Sequence, residues 1–198
     1  MSPDLHETPT RRSVVLLLVL TLSRIPLAAL LTALLVTQER SPWLLAAVLV
    51  LLGLIELTDL LDGQLARRTG NVTEEGAMLD PYADSVARLV VYWGLSQAGL
   101  ALALVPLAMA VRDVTVATCR ITLSRHGRSV AAKLSGKVKA VVQGGVAALL
   151  ILGPAYWPFT GEWTIAALSW VVIVVTLLSA IQYAMAAVAA ARAPAQRA

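Results

Sequence analysis

The chain has 198 residues, 58% of them hydrophobic and only 14% charged, with a formal net charge of +4, and its mean hydropathy is +0.76. A soluble domain is nearer half apolar and a quarter charged, so this composition excludes an ordinary soluble enzyme and describes one integral membrane domain. The single cysteine, Cys119, excludes an internal disulfide and a cysteine zinc cage, and the two histidines, His6 and His126, lie too far apart for metal-ligand spacing.

In chain order, residues 1–13 are polar and read as a cytoplasmic N-terminal segment. The apolar stretch from Val14 runs well past the core of a cleavable signal peptide and is read as a span. A spanning helix needs about 20 apolar residues. Six such segments are predicted, at 14–38, 42–61, 79–97, 100–124, 137–153 and 163–190. Ser96-Gln97-Ala98-Gly99 makes a tight turn between the third and fourth, and Pro154, Pro158 and Gly161 punctuate the link between the fifth and sixth. Pro106 is expected to kink the fourth helix. Residues 193–198 read as a cytoplasmic tail.

Lys and Arg then set the orientation. Arg11, Arg12, Arg67, Arg68, Arg125, Arg128, Lys133, Lys137, Lys139, Arg192 and Arg197 fall on one side, and Arg40 alone on the other. The positive-inside rule puts both termini in the cytoplasm. The expected fold is an all-α integral membrane protein, with six transmembrane helices over 14–192 and a polar active-site cavity facing the cytoplasm. Cys119 is expected to be a buried thiol, the histidines surface residues, and Trp43, Trp157 and Trp163 interfacial anchors.

Asp59 and Asp62 (i, i+3) close the second span, and Asp80 and Asp84 (i, i+4) open the third. Each pair projects from one helix face, and a short link makes the two helices antiparallel neighbours. Ionisable groups are costly at a membrane edge and need compensation. Four carboxylates make an oxygen-only site suited to Mg²⁺ or Mn²⁺, with room for two ions. Helix capping by Asp80 and Asp84 against the macrodipole is the structural alternative. Gly63 and Ala66 keep the acidic stretch open to a flat ligand, or serve helix packing. Gly76 allows close backbone approach to a phosphate, and Arg67 offers a fork of donors to phosphate oxygens.

The pattern Asp59-x2-Asp62-Gly63-x2-Ala66-Arg67-x8-Gly76-x3-Asp80-x3-Asp84 resembles the signature of the CDP-alcohol phosphatidyltransferase family, with every fixed position present. The resemblance implies transfer of a phosphatidyl group from a CDP-linked lipid to an alcohol, with release of CMP. It implies that Asp59, Asp62, Asp80 and Asp84 ligate two Mg²⁺ or Mn²⁺ ions. It makes Asp84 the general base for the acceptor hydroxyl, and puts CDP-diacylglycerol against Gly63, Ala66, Arg67 and Gly76. It also implies a homodimer among membrane lipids, and no nucleic-acid partner is expected.

The second half bears on the acceptor. Arg112 and Arg120 lie in an apolar helix, about 12 Å apart along its axis, and require acidic or phosphate partners. Arg112-Asp113-x6-Arg120 and Gly136-Lys137-Val138-Lys139-x3-Gln143 resemble the helix-four and helix-five signature of the phosphatidylglycerophosphate synthase branch. Leu20-Thr21-Leu22-Ser23-Arg24-Ile25 resembles the start of that branch's first helix. Arg112, Arg120, Lys137 and Lys139 are then the expected holders of the acceptor phosphate, with sn-glycerol 3-phosphate as acceptor. Asp113 and Ala140 depart from the usual Glu and Thr of that branch. Inositol phosphate or phosphatidylglycerol are the alternative acceptors, and a solvated, lipid-facing basic loop is the structural alternative for the cations. Arg88 or Arg24 is expected to neutralise an acid, with Glu56 a candidate. A cation transporter would place its acids near midplane in repeated halves, unlike this one-sided cluster, and a catalytically dead scaffold would not require the full acid set.

Overall fold

The computed structural model describes residues 11–38, 41–69, 74–125, 134–156 and 161–192, with side chains outside 11–17, 59–60, 62–69, 74–78, 125, 134–138, 154–156 and 190–192. His6, His126, Arg128, Lys133, Trp157 and the tail at 193–198 lie outside the described residues. The described elements are α1 (Arg11–Thr37), α2 (Pro42–Thr69), α3 (Glu74–Gln97), α4 (Leu104–Arg125), α5 (Leu134–Tyr156) and α6 (Glu162–Arg192). Contacts divide the chain into two compact units, Met1–Val91 and Tyr92–Ala198.

In the first unit α1 packs on α2. Ser41 caps α2, its hydroxyl accepting from the Leu44 N–H at 3.3 Å, and Pro42 takes the first helical position, where no N–H is needed. Leu44, Val48, Leu51, Leu52 and Ile55 are buried at helical spacing, as are Ala28 and Leu31 of α1. The Thr32 hydroxyl donates to the Val90 carbonyl at 2.9 Å, tying α1 to α3. Ala83 and Ala87 are fully or almost fully buried one turn apart, and such small side chains let helices approach closely in lipid.

In the second unit α6 packs on both α4 and α5. The predicted turn after α3 is a Schellman cap. Gly99 has φ +72°, the Leu100 N–H donates to the Leu95 carbonyl at 2.8 Å, and the Gly99 N–H to the Ser96 carbonyl at 3.2 Å. Leu95 and Leu100 are both buried. The Leu102 N–H donates to the Ser169 hydroxyl at 3.1 Å, which links the entry to α4 with α6.

Several expectations shift. α3 begins at Glu74, so Asp80 sits in its second turn, beyond the first turn where the macrodipole acts strongly. α2 continues through Thr69, carrying Asp59, Asp62, Gly63, Ala66 and Arg67 on helical backbone. Pro106 falls in the first turn of α4, where its missing N–H breaks no bond, so no kink is required of it. Cys119 is half-buried.

Two described helical stretches are long and apolar enough to cross a membrane, Leu18–Thr37 and Glu162–Ala189, and Pro42–Thr58 and Lys139–Gly153 are shorter apolar runs. α3 and α4 fall short because charges interrupt them: Asp80, Asp84 and Arg88 in one, Arg112, Asp113 and Arg120 in the other. Large apolar side chains are exposed along both units, among them Val50 and Leu54 of α2 and Val174, Leu178 and Met185 of α6. Patches on that scale suit contact with lipid rather than water. Trp43 and Trp163 are exposed at helix starts.

Candidate active site

Asp80 and Asp84 of α3 lie in the first unit, and each is held by a buried arginine. Arg24 of α1 is 1% exposed. Its Nη1 donates to Oδ1 of Asp80 at 3.0 Å. The Arg88 side chain is 7% exposed. Its Nε donates to Oδ1 of Asp84 at 2.7 Å, one turn back on the same helix. Nη1 and Nη2 of the same guanidinium donate to the two carboxylate oxygens of Glu56 on α2, at 3.1 and 3.3 Å. A cation buried in an apolar helix requires such partners. The sequence offers Arg88 or Arg24 as the partner of an acid, and the structure pairs both, Arg88 with Glu56 and Asp84, and Arg24 with Asp80.

The carboxylates themselves remain open to a ligand: the Asp80 side chain is 50% exposed and that of Asp84 26%. Two hard oxygen donors one turn apart, partly exposed, fit Mg²⁺ or Mn²⁺ chemically. Asp59, Asp62, Gly63, Ala66 and Arg67 lie on the helical backbone of α2 and Gly76 on that of α3. Their side chains are outside the described residues.

The Arg24–Asp80 pair has a measurable consequence. Arg24→Met keeps much of the stem but leaves Asp80 without its cation. Because Asp80 retains half its surface, the expected cost is about 1–3 kcal/mol, below the value for a fully buried pair. Thermal unfolding in detergent should show a midpoint several degrees lower, and an unchanged midpoint would show that the pair contributes nothing.

In the second unit, Arg112 and Arg120 converge on one ring. Each guanidinium carbon lies 5.6 Å from the centroid of Tyr183 on α6, within cation–π range. Arg112 is 8% exposed. Its Nη1 donates to Oδ1 of Asp113 at 2.7 Å and its Nη2 to the Ser179 hydroxyl at 3.3 Å. Sequence neighbours do not face each other on a helix, yet the guanidinium reaches Asp113. Among the described residues, the buried Arg112 Nε has no hydrogen-bond partner, and an anion would satisfy such a donor. Arg120 is exposed. Lys139 is buried, and the Lys137 side chain is outside the described residues. One turn beyond Lys139, fully buried Gln143 donates through Nε2 to the Thr176 hydroxyl at 2.9 Å, and its backbone carbonyl accepts from the Tyr92 hydroxyl at 2.7 Å.

Tyr183, Ser179 and Thr176 were not anticipated as partners of these groups. The signal was present: Ser169, Thr176, Ser179 and Tyr183 are buried, and their spacing gathers them on one face of an otherwise apolar helix.

Residues 16–182 match the CDP-alcohol phosphatidyltransferase family. The chain is 34% identical over 135 residues to proteins named CDP-diacylglycerol–glycerol-3-phosphate 3-phosphatidyltransferase from Escherichia coli K12, Salmonella typhimurium LT2 and Shigella flexneri serotype 5b. Each alignment covers 66% of this chain and 72% of the relative. With its acidic signature intact and the match spanning most of its length, the chain belongs to the CDP-alcohol phosphatidyltransferase family.

Proposed function

We propose that this membrane enzyme transfers a phosphatidyl group from CDP-diacylglycerol to sn-glycerol 3-phosphate and releases CMP, a step of phospholipid synthesis. The observation that carries the reading is the pair Asp80 and Asp84, one turn apart and each held by a buried guanidinium, in a chain whose relatives bear the name of this activity.

The residues divide the work. Asp59, Asp62, Asp80 and Asp84 would hold two divalent cations, Mg²⁺ or Mn²⁺. Bound there, the ions would neutralise charge on the pyrophosphate and the leaving CMP. Gly63, Ala66 and Gly76 leave space for the cytidine nucleotide, and Arg67 binds its phosphate oxygens. Asp84 accepts the proton of the acceptor hydroxyl as that oxygen attacks the β-phosphorus, the one bonded to the diacylglycerol oxygen. The bond from that phosphorus to the bridging oxygen breaks and CMP leaves. Six passes, with both termini in the cytoplasm, would keep the acyl chains in lipid while the headgroup and soluble acceptor meet at the cytoplasmic face. The charge asymmetry of the loops supports this orientation. A homodimer is expected from the family, and the open space around exposed Gly145 would admit a neighbouring helix.

The Arg112–Tyr183–Arg120 group, whose buried Nε has no acceptor among the described residues, supports a phosphorylated acceptor, and the names of the relatives favour glycerol 3-phosphate among such acceptors. Lys137 and Lys139 would add charge to the same phosphate. The test is an acceptor panel: purified protein with CDP-diacylglycerol and either glycerol 3-phosphate, inositol phosphate, serine or phosphatidylglycerol, with CMP and lipid product measured. Glycerol 3-phosphate should give the highest kcat/KM. Arg120→Ala should raise its KM about 10-fold, the loss of roughly one charge-assisted contact, with little change in the KM for CDP-diacylglycerol. Preference for another acceptor would overturn the assignment.

A further inference from the structure

We infer that Arg88 and Glu56 are positioning residues for Asp84: a guanidinium clamped across from α2 sets the orientation of the carboxylate that accepts the substrate proton. The inference rests on the role proposed for Asp84 and deepens it.

The geometry goes beyond charge neutralisation. Among the described residues, one guanidinium serves two acids through different edges. Nε engages Oδ1 of Asp84 at 2.7 Å, while Nη1 and Nη2 engage the two oxygens of Glu56 at 3.1 and 3.3 Å. The Asp84 link stays within α3, and the Glu56 link crosses to α2. The guanidinium is planar with its donors in a fixed fork, so the two-point contact with Glu56 fixes the plane, and the plane fixes the approach of Nε to Asp84. Neutralising Arg88 required one carboxylate, and Asp84 alone would have met it. The second acid, partly exposed at 37% of its side chain against 7% for Arg88, adds orientation. Rotation of Asp84 about its side-chain torsions is then opposed by an ion pair anchored on a neighbouring helix. Catalytic groups depend steeply on such placement, and a shift of about 1 Å can cost about 10²-fold in rate.

The test separates positioning from plain structural pairing. It compares Arg88→Lys, Glu56→Gln, Glu56→Asp and the charge swap Glu56→Arg with Arg88→Glu in the full-length, detergent-purified protein. For each, kcat, the KM for CDP-diacylglycerol and the thermal midpoint are measured. Lysine presents a point charge and no fork, so Arg88→Lys should lower kcat about 10²-fold with the KM within about threefold. Glu56→Gln, nearly isosteric, should lower kcat about 10-fold, and Glu56→Asp should recover part of that loss. The swap restores opposite charges between α2 and α3, so its thermal midpoint should return toward that of the unaltered chain. It also sets a carboxylate beside Asp84, so kcat should stay low. Recovery of kcat in the swap would overturn the inference, as would single variants whose kcat falls only in proportion to the folded fraction. The assays use whichever acceptor the unaltered chain turns over. Failure of glycerol 3-phosphate would therefore overturn the acceptor assignment alone.

Discussion

Asp84→Asn is expected to lower phosphatidyl transfer by about 10²–10⁴-fold, the range contributed by a positioned acid–base group. Asparagine keeps the size of the side chain and an oxygen that can accept from Arg88 Nε, so the local packing can persist. On the proposed mechanism it loses the capacity to take the acceptor's proton and one of the negative charges offered to a cation. Binding of CDP-diacylglycerol, measured directly by titration, should therefore change far less than turnover, by about threefold or less if Asp84 works mainly on the transition state. Near-full CMP release by the variant would remove Asp84 from the role of base. Equal losses of binding and turnover would instead make it chiefly a ligand for the nucleotide-bound cation.

Removal of divalent cations should have an effect of similar size. Exhaustive chelation is expected to abolish CMP release, and Mg²⁺ or Mn²⁺ to restore it, because the four carboxylates proposed as ligands would make an all-oxygen donor set. Asp80→Asn should raise the cation concentration for half-maximal rate by about 10-fold or more, by analogy with losses at metal-site residues. This variant also deprives buried Arg24 of the carboxylate charge it meets at 3.0 Å. A parallel thermal-unfolding measurement would separate weakened folding from weakened cation binding. Full activity after chelation would sink the metal reading, whereas a raised cation requirement with an unchanged unfolding midpoint would support it cleanly.

Much of the fold was legible because the forces that set it are local and periodic. Long apolar runs are expected to form helices in a membrane, where unpaired backbone groups are too costly, and Gly99 closed α3 by the left-handed conformation that glycine allows. Helix ends were less legible. The polar flanks at 62–69 and 74–78 add no apolar signal, yet they remain helical, because helix hydrogen bonds propagate past the membrane-facing residues once a helix is formed. The spacing of Asp80, Asp84 and Arg88 put them on one face in advance.

The sequence by itself determined the membrane class, the helical framework, the acidic signature and therefore the family, since all depend on residue type at short spacing. Tertiary structure decided which charge meets which. Arg24 and Asp80 are separated by 56 positions and Arg88 and Glu56 by 32, and no periodicity specifies such pairs. The convergence of Arg112 and Arg120 on Tyr183 likewise depends on α6 packing against α4. The physical reason is range: propensity and amphipathicity act within a few turns, whereas a buried ion must find its partner wherever packing brings one within about 3 Å.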